Sequence, residues 1–131
     1  MSVRGVSSAV VSSLSSDLTG AVFLPWEVPT PAPSRYAVVW VALSARERSR
    51  YSSAQIRDVF TVTVHSVGAD ANQCLWVQER VNKLTGKTLT VASRKLWPVE
   101  YITGQPPGLD DDGPEPKLFA VSQFDILSDP A

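Results

Sequence analysis

The stretch TVTVHSVGADANQCLWVQERVNKL, residues 61–84, decides the fold because its periodicity changes in the middle. In its first half, Val62 and Val64 share one face while His65 belongs to the other, which is the alternation of a half-exposed strand. In its second half, apolar residues recur at steps of three and four, which is typical of a helix. Those residues are Ala71, Cys74, Val77, Val81 and Leu84.

The junction between this strand and this helix has its own signals. Asp70 is a natural N-cap, and Gln73 stands three residues later, close to a capping box. Gly68 is expected to take a backbone shape that a β-carbon would strain. Gly86 is expected to end the helix.

A second helix and several strands are predicted elsewhere. Residues 3–18 carry Val and Leu at helical spacing, and Gly20 is a suitable stop. The segment 36–43, YAVVWVAL, is apolar on both alternating faces, which predicts a central strand covered on both sides, with Trp40 in the core. Further strands are predicted at 21–24, 56–67, 87–91, 97–102 and 117–127.

Three segments lack apolar periodicity and are predicted as loops: 25–34, 44–55 and 104–116. Helix, strands, helix and strands in this order favour an α+β fold. We expect a mostly antiparallel sheet of four to five strands with two helices packed on one face, in a single domain over residues 1–131.

The only histidine and the only cysteine invite an enzymatic interpretation. Cys74 and His65, with Asp70 between them, contain the residue types of a Cys/His nucleophile set. However, Cys74 belongs to the apolar stripe of its helix, His65 to the polar face of its strand, and Asp70 to the helix cap. The stronger prediction is therefore a packing cysteine and a surface histidine, with no catalytic residue.

No binding site for a small molecule is indicated either. One cysteine and one histidine cannot complete a structural zinc site, and no glycine-rich phosphate loop occurs. We therefore expect neither a cofactor nor a metal. No stretch reaches the ~18 apolar residues of a membrane span, so no membrane partner is expected.

The charge is unevenly distributed along the chain. Residues 1–98 carry 11 basic and 6 acidic side chains, whereas residues 99–131 carry 1 basic and 7 acidic side chains. This division favours a meeting of two surfaces, within one chain or between copies, although two separately solvated surfaces would give the same pattern. The candidate patches are a basic arm of Arg46, Arg48 and Arg50 and an acidic cluster of Asp110, Asp111 and Asp112.

Two more assignments stay open at this stage. The basic arm has only Tyr51 as a neighbouring stacking aromatic in a slightly acidic chain, so a protein contact or a solvated arm is favoured over nucleic-acid binding. Trp76 lies off the apolar stripe of its helix, where it either packs at the helix edge or contacts another subunit.

Several of these features together resemble a known family. The strand ending in Ser66-Val67-Gly68, followed by a helix with Gln73, Trp76 and Arg80-Val81, is similar to the core of tail terminator proteins from long-tailed bacteriophages, especially those of actinobacterial hosts. The proline-rich approach to RYAVVW and the closing segment DDDGPEPKLFAVSQFDILSDP resemble further parts of that family. The resemblance covers about residues 22–131.

This resemblance implies a structural virion protein assembled in the host cytoplasm. A tail terminator forms a hexameric ring that caps the tail tube, stops its polymerisation and joins the tail to the head completion protein, while genomic DNA passes through the lumen without sequence-specific binding. A head–tail stopper or adaptor protein is the alternative, and a small enzyme using Cys74 and His65 is a more distant one.

In such a ring the acidic cluster has three interpretations. It solubilises a loop, lines the lumen, or contacts the basic arm of the adjacent subunit. The division of charge slightly favours the contact between subunits.

Overall fold

The computed structural model describes residues 3–25, 27–29, 33–48, 55–91, 94–110 and 117–130. These residues form two α-helices and one seven-stranded sheet, so the chain has an α+β fold. The helices are α1 (Val3–Asp17) and α2 (Ala71–Val81), and a 3₁₀ turn (Asn82–Leu84) continues α2. The strands are β1 (Val22–Phe23), β2 (Arg35–Arg48), β3 (Gln55–Gly68), β4 (Arg94–Leu96), β5 (Glu100–Gly104), β6 (Gly108–Asp110) and β7 (Lys117–Pro130).

Three strands of 14 residues form the body of the sheet. β2 pairs antiparallel with β3, and β3 pairs antiparallel with β7. The register places Arg35, Gly68 and Leu118 in one row at one end of the sheet. β1 runs parallel to β2 and covers only Ala37 and Val38 of its outer edge.

The outer edge of β7 is covered by three short strands placed end to end. β6 pairs with the beginning of β7, β5 with its middle and β4 with its end, all antiparallel. A bulge at Ile102 interrupts β5. The two long sides of the sheet therefore differ, since β7 is covered along its length and β2 is not, within the described residues.

Both helices pack on the same face of the sheet, as the sequence predicts. α1 buries the Val6, Val10 and Leu14 stripe, and α2 buries Val77 and Val81. The sheet contributes the alternate residues of β2, β3 and β7 to the same core. Its largest fully buried side chains are Phe60, Val62 and Val64 of β3, Val39 of β2, and Phe124 and Ile126 of β7.

The strand-to-helix junction forms as predicted, with one change in its hydrogen bonds. The Asp70 carboxylate accepts a hydrogen bond of 2.9 Å from the Gln73 backbone N–H and so caps α2. The Gln73 side chain accepts from the Ala69 N–H at 3.4 Å, one residue before the cap. Gly86 follows the 3₁₀ turn with φ of +82°, which a glycine adopts without strain.

Several sequence expectations are corrected. The sheet has seven strands rather than four to five, because short strands pair with the long ones. The loop predicted at 44–55 is wrong for residues 44–48 and 55, which continue β2 and begin β3, while 49–54 lie outside the described residues. The loop predicted at 104–116 is wrong for Gly104, which ends β5, and for 108–110, which form β6, while 111–116 lie outside the described residues. Residues 87–91 form no strand beyond a single bridge at Val91.

The prediction that 36–43 is a central strand with Trp40 in the core is also wrong. β1 covers only two residues of β2, so most of β2 is an edge strand in the described sheet. Trp40 lies on the face opposite the helices and is 40% exposed.

Candidate functional site

Cys74 and His65 lie on opposite faces of the sheet and do not form a catalytic pair. The Cys74 thiol is buried under α2, where its Sγ donates a hydrogen bond of 3.2 Å to the Ser66 carbonyl oxygen. The neighbouring residue, His65, points to the face without helices. Its ring lies between Trp40 and Phe119, with centroids 4.4 and 5.8 Å away.

The electrostatics of the two side chains also oppose nucleophilic chemistry. Desolvation by burial raises the pKa of the Cys74 thiol above 9.0, which disfavours the thiolate that a nucleophile needs. Burial lowers the pKa of His65 below 6.5. Because the Asp70 carboxylate caps α2, it does not orient the imidazole.

No metal site or membrane span is found among the described residues. The described part of the chain brings no three His, Cys, Asp or Glu side chains close enough together to hold a metal ion. Neither described helix is long and apolar enough to cross a membrane. An open groove of about 530 Å³ runs along α1 and is lined by Gly5, Ser8, Ala9, Ser12, Thr90 and Val91.

The most distinctive cluster surrounds Trp76 on α2. The Arg35 guanidinium carbon lies 3.6 Å from the centroid of the Trp76 ring, and the Arg80 guanidinium carbon lies 4.2 Å from it. We call these three residues the basic–aromatic cluster. Cation–π contacts of this kind contribute about 0.5–1 kcal/mol each at exposed sites and ~2 kcal/mol when desolvated.

Two features of the fold assemble the basic–aromatic cluster. Arg80 follows Trp76 by four residues on α2, so both side chains lie on one side of the helix. Arg35 begins β2, in register with Gly68 at the end of β3, and this end of the sheet lies beside the start of α2. Trp76 also packs against the hydrophobic core, so the cluster is anchored at its base.

The two arginines have no carboxylate partner among the described residues. Asp17 contacts Arg80, but its carboxylate Oδ2 accepts a hydrogen bond of 2.9 Å from Lys87 Nζ. Only its backbone oxygen faces Arg80, at 3.4 Å from Nη1. The buried Nε of Arg80 has no hydrogen-bond partner in the described part of the chain. Two positive charges therefore share one aromatic ring, and no carboxylate of the described residues pairs with either of them.

The opposite side of α2 faces the acidic third of the chain. Gln78 Nε2 donates a hydrogen bond of 3.2 Å to the Gln105 carbonyl oxygen, between β5 and β6. Large apolar side chains are also exposed on α2 and β5: Leu75 of α2 at 49%, and Tyr101 and Ile102 of β5 at 45% and 50%. Exposed apolar side chains beside acidic ones are a common composition for a protein-binding surface.

The structure places the predicted interface residues as follows. Trp76 is half-buried in the basic–aromatic cluster, which agrees with packing at the helix edge. Arg46 and Arg48 lie on the distal half of β2, and Asp110 ends β6; their backbones are described and their side chains are not. Arg50, Asp111 and Asp112 lie outside the described residues.

The basic arm and the acidic cluster are at opposite ends of the sheet. Arg46 is in the row of Asp58 and Ser128, whereas Asp110 pairs with Lys117 at the start of β7. At about 3.3 Å per residue, the two rows are roughly 36 Å apart along β7. A direct contact between the arm and the cluster would therefore be expected only between two copies.

Sequence reasoning missed Arg35 and gave Arg80 no role in a site. The spacing of Trp76 and Arg80 is a signal that could have been used, since side chains four apart on a helix are neighbours. Arg35 gave no such signal, because its place beside Trp76 depends on the register of β2 against β3.

Comparison with known proteins finds similarity in structure but not in sequence. No protein-family model matches the chain, and no curated protein matches its sequence. Among solved structures, a chain described as "Virion of native gene transfer agent (GTA) particle" is similar with a TM-score of 0.71 and 13% identity, covering 96% of each chain. A second solved chain has a TM-score of 0.60 and 11% identity, covering 94% of this chain and 91% of the other. At these identities, the comparison shows that the chain shares the fold of a virion component over nearly its whole length.

Proposed function

We propose that this protein is a structural virion protein that forms a ring at the end of a phage-type tail and terminates the tail tube. The observation that carries the proposal is the match over 96% of both chains to a component of a gene transfer agent virion. Matching over whole chains supports a shared role better than matching over one motif would, although one fold can serve many functions. The resemblance of segments 60–84 and 110–130 to tail terminators supports the same position in the particle.

The distribution of surfaces supports a head-to-tail ring. A closed ring requires two different patches, one meeting the other on the next copy. α2 separates two such patches, because the basic–aromatic cluster lies on one side and the exposed Leu75 and Tyr101 lie on the other. In this ring the tail tube protein and the head completion protein bind the two ends, and genomic DNA passes through the lumen without sequence-specific contacts.

The second candidate is a stopper or adaptor protein at the same head–tail junction. The solved relative is described by its particle and not by its position in that particle, so the same similarity supports this candidate. The two roles differ in what the tail does without the protein. A terminator limits tube growth, whereas a stopper joins a finished tail to a filled head.

Deleting the gene separates these roles. We expect electron micrographs of lysates without the protein to show tubes of uncontrolled length and heads without tails. Tubes of normal length beside unattached heads would support the stopper or adaptor role instead of the terminator role. Intact, infectious particles would exclude both roles. Complementation with the wild-type gene is the control, and averaged images of the restored particle show whether several copies form a ring.

A further inference from the structure

We propose that the basic–aromatic cluster of Arg35, Trp76 and Arg80 binds the acidic segment of a second copy of this chain, where the acidic segment is the sequence DDDGPE, residues 110–115. This inference rests on the proposed ring and assigns its contact between subunits. It gives the acidic segment a different receptor from the basic arm of Arg46, Arg48 and Arg50.

The chemistry of the cluster fits a carboxylate ligand. Both guanidinium groups stack on one ring, so their carbons are within about 8 Å of each other. A guanidinium presents a planar fork of N–H donors that matches a carboxylate, and stacking on Trp76 holds each fork in place before the ligand arrives. The buried Arg80 Nε has no hydrogen-bond partner in the described part of the chain, and no carboxylate of that part pairs with either guanidinium group.

The acidic segment has the complementary charge. Residues 110–115 contain four carboxylates in six residues, and the sequence supplies no basic residue before Lys117. Adjacent like charges raise the local potential, and a pair of cations relieves it.

The positions of the two patches favour a partner in another copy. Trp76 and Gln78 are about 200° apart around α2, since each residue turns a helix by ~100°. Gln78 contacts the β5–β6 connection, whereas Trp76 faces β2. Within one chain, α2 lies between the cluster and β6, whose last residue is Asp110, the first residue of the acidic segment. A neighbouring copy placed side by side brings its own Asp110 to the cluster without that obstacle.

The heights of the two patches along the strands favour a closed ring. Arg35 is in the row of Leu118, and Asp110 pairs with Lys117, so both patches are at the same end of the sheet. Copies arranged around an axis along the strands bring these patches together without an offset. Pairing the acidic segment with the distal basic arm in the same arrangement would shift each copy by roughly 36 Å and generate a helical assembly rather than a closed ring.

A charge-swap experiment tests the pairing. We would measure oligomers of the full chain by native mass spectrometry across protein and salt concentrations, and locate the protein on particles by electron microscopy. Arg35→Glu with Arg80→Glu is expected to lower ring formation at least about tenfold, and so is Asp110→Lys with Asp111→Lys and Asp112→Lys. Combining the two sets is expected to restore rings, because the opposite charges meet again.

Matched controls separate this pairing from general charge effects. Arg4→Gln makes the same charge change as Arg80→Gln, at an exposed residue of α1. Arg4 lies about 20 Å along α1 from Asp17, which contacts Arg80, so this variant is expected to leave rings unchanged. Arg46→Gln with Arg48→Gln and Arg50→Gln is also expected to leave them unchanged. A loss of rings in this triple variant, with normal rings in Arg35→Gln/Arg80→Gln, would show that the acidic segment binds the basic arm instead.

Crosslinking answers the case in which a charge reversal unfolds the chain. An Arg35→Cys/Asp112→Cys variant, in which native Cys74 is buried, is expected to form a ladder of disulfide-linked copies under oxidation. A monomer with an internal disulfide would overturn the proposal. An Arg35→Gln/Arg80→Gln variant that forms normal rings but binds duplex DNA more weakly than wild type would also overturn it.

If the wild-type protein forms no ring in solution or on particles, the proposed function itself fails. If it forms rings that neither the substitutions nor salt affects, only this pairing fails.

Discussion

Gly68 occupies the point where β3 passes closest to α2. A β-carbon at this position would meet the backbone nitrogen of Cys74 and would lie 2.8 Å from the Gln73 carbonyl carbon. The sequence correctly predicted that Gly68 could not be replaced without strain, but for a different reason. The space under α2 excludes a larger side chain at Gly68, whereas its backbone angles are not unusual. Because backbone atoms cannot rotate away, β3 and α2 would have to separate.

We therefore expect Gly68→Ala to lower the free energy of unfolding by about 1–3 kcal/mol. Urea denaturation followed by circular dichroism measures the change. Gly108→Ala is the matched control, because a β-carbon there would meet nothing within 4 Å, and it should differ little from wild type. Equal stabilities of the two variants would show that α2 does not lie so close to β3.

His65 gives stability a dependence on pH through its half-buried ring. Burial between Trp40 and Phe119 lowers its pKa in the folded protein below 6.5, so the unfolded chain binds a proton more readily. The contribution of neutral His65 is present above pH 6.5 and is lost as the pH falls through 6.5 toward the lowered pKa. We expect the stability difference between wild type and His65→Gln to shrink over this range. A difference that stays constant between pH 7.5 and about 5 would contradict the burial of this ring.

The two helices contribute to stability through the residues that they bury on the sheet. Leu14 of α1 is fully buried against the core, whereas Leu75 of α2 is 49% exposed. Leu14→Ala should cost about 2–5 kcal/mol, because it removes buried methyl groups and leaves a cavity. Leu75→Ala makes the same chemical change and should cost no more than about 0.5 kcal/mol in the isolated chain. Thermal melts of the two variants test whether α1 covers the sheet as described.

Elements with a strong local signal could be predicted from the sequence. α1, α2 and β7 follow from the spacing of their apolar residues, and the Asp70 cap follows from residue chemistry. The distal part of β2 could not be predicted, because its polar sequence around Arg46 resembles a loop and its strand geometry comes from pairing with β3. Trp40 was misplaced because an apolar run does not reveal which strands will cover it.

The candidate site was predicted only in part, for a related reason. Trp76 was identified from its position off the apolar stripe, but Arg35 joins it across 41 positions of sequence. Charge totals identified the acidic segment and a basic surface, but they do not show which arginines are held in place by other side chains. Periodicity describes one element at a time, whereas the basic–aromatic cluster needs the packing of α2 beside β2.

For the whole particle, a structural role predicts tolerance at the only cysteine. Cys74→Ala should cost about 1–2 kcal/mol, because it removes a small buried group, and should leave particle infectivity intact. Plaque counts and thermal melts measure these two quantities separately. A folded variant that assembles normally but gives no infectious particles would return Cys74 to consideration as a reactive group.

The unequal edges of the sheet have a consequence for the chain before it assembles. In the part of the chain that the structure describes, three short strands shield β7, whereas no strand pairs with the outer edge of β2 beyond Val38, so this edge could pair with another molecule. Two copies that joined edge to edge there would be related by a twofold axis and would use up both free edges, which ends the association at a dimer. Such a dimer would remove subunits from the assembly pathway, and salt would not dissociate it because backbone hydrogen bonds would hold it together. The distal part of β2 carries three charged residues in sequence, Arg46, Glu47 and Arg48. Charged residues on an edge strand oppose edge-to-edge pairing, so they keep the subunits available for assembly into the ring proposed above.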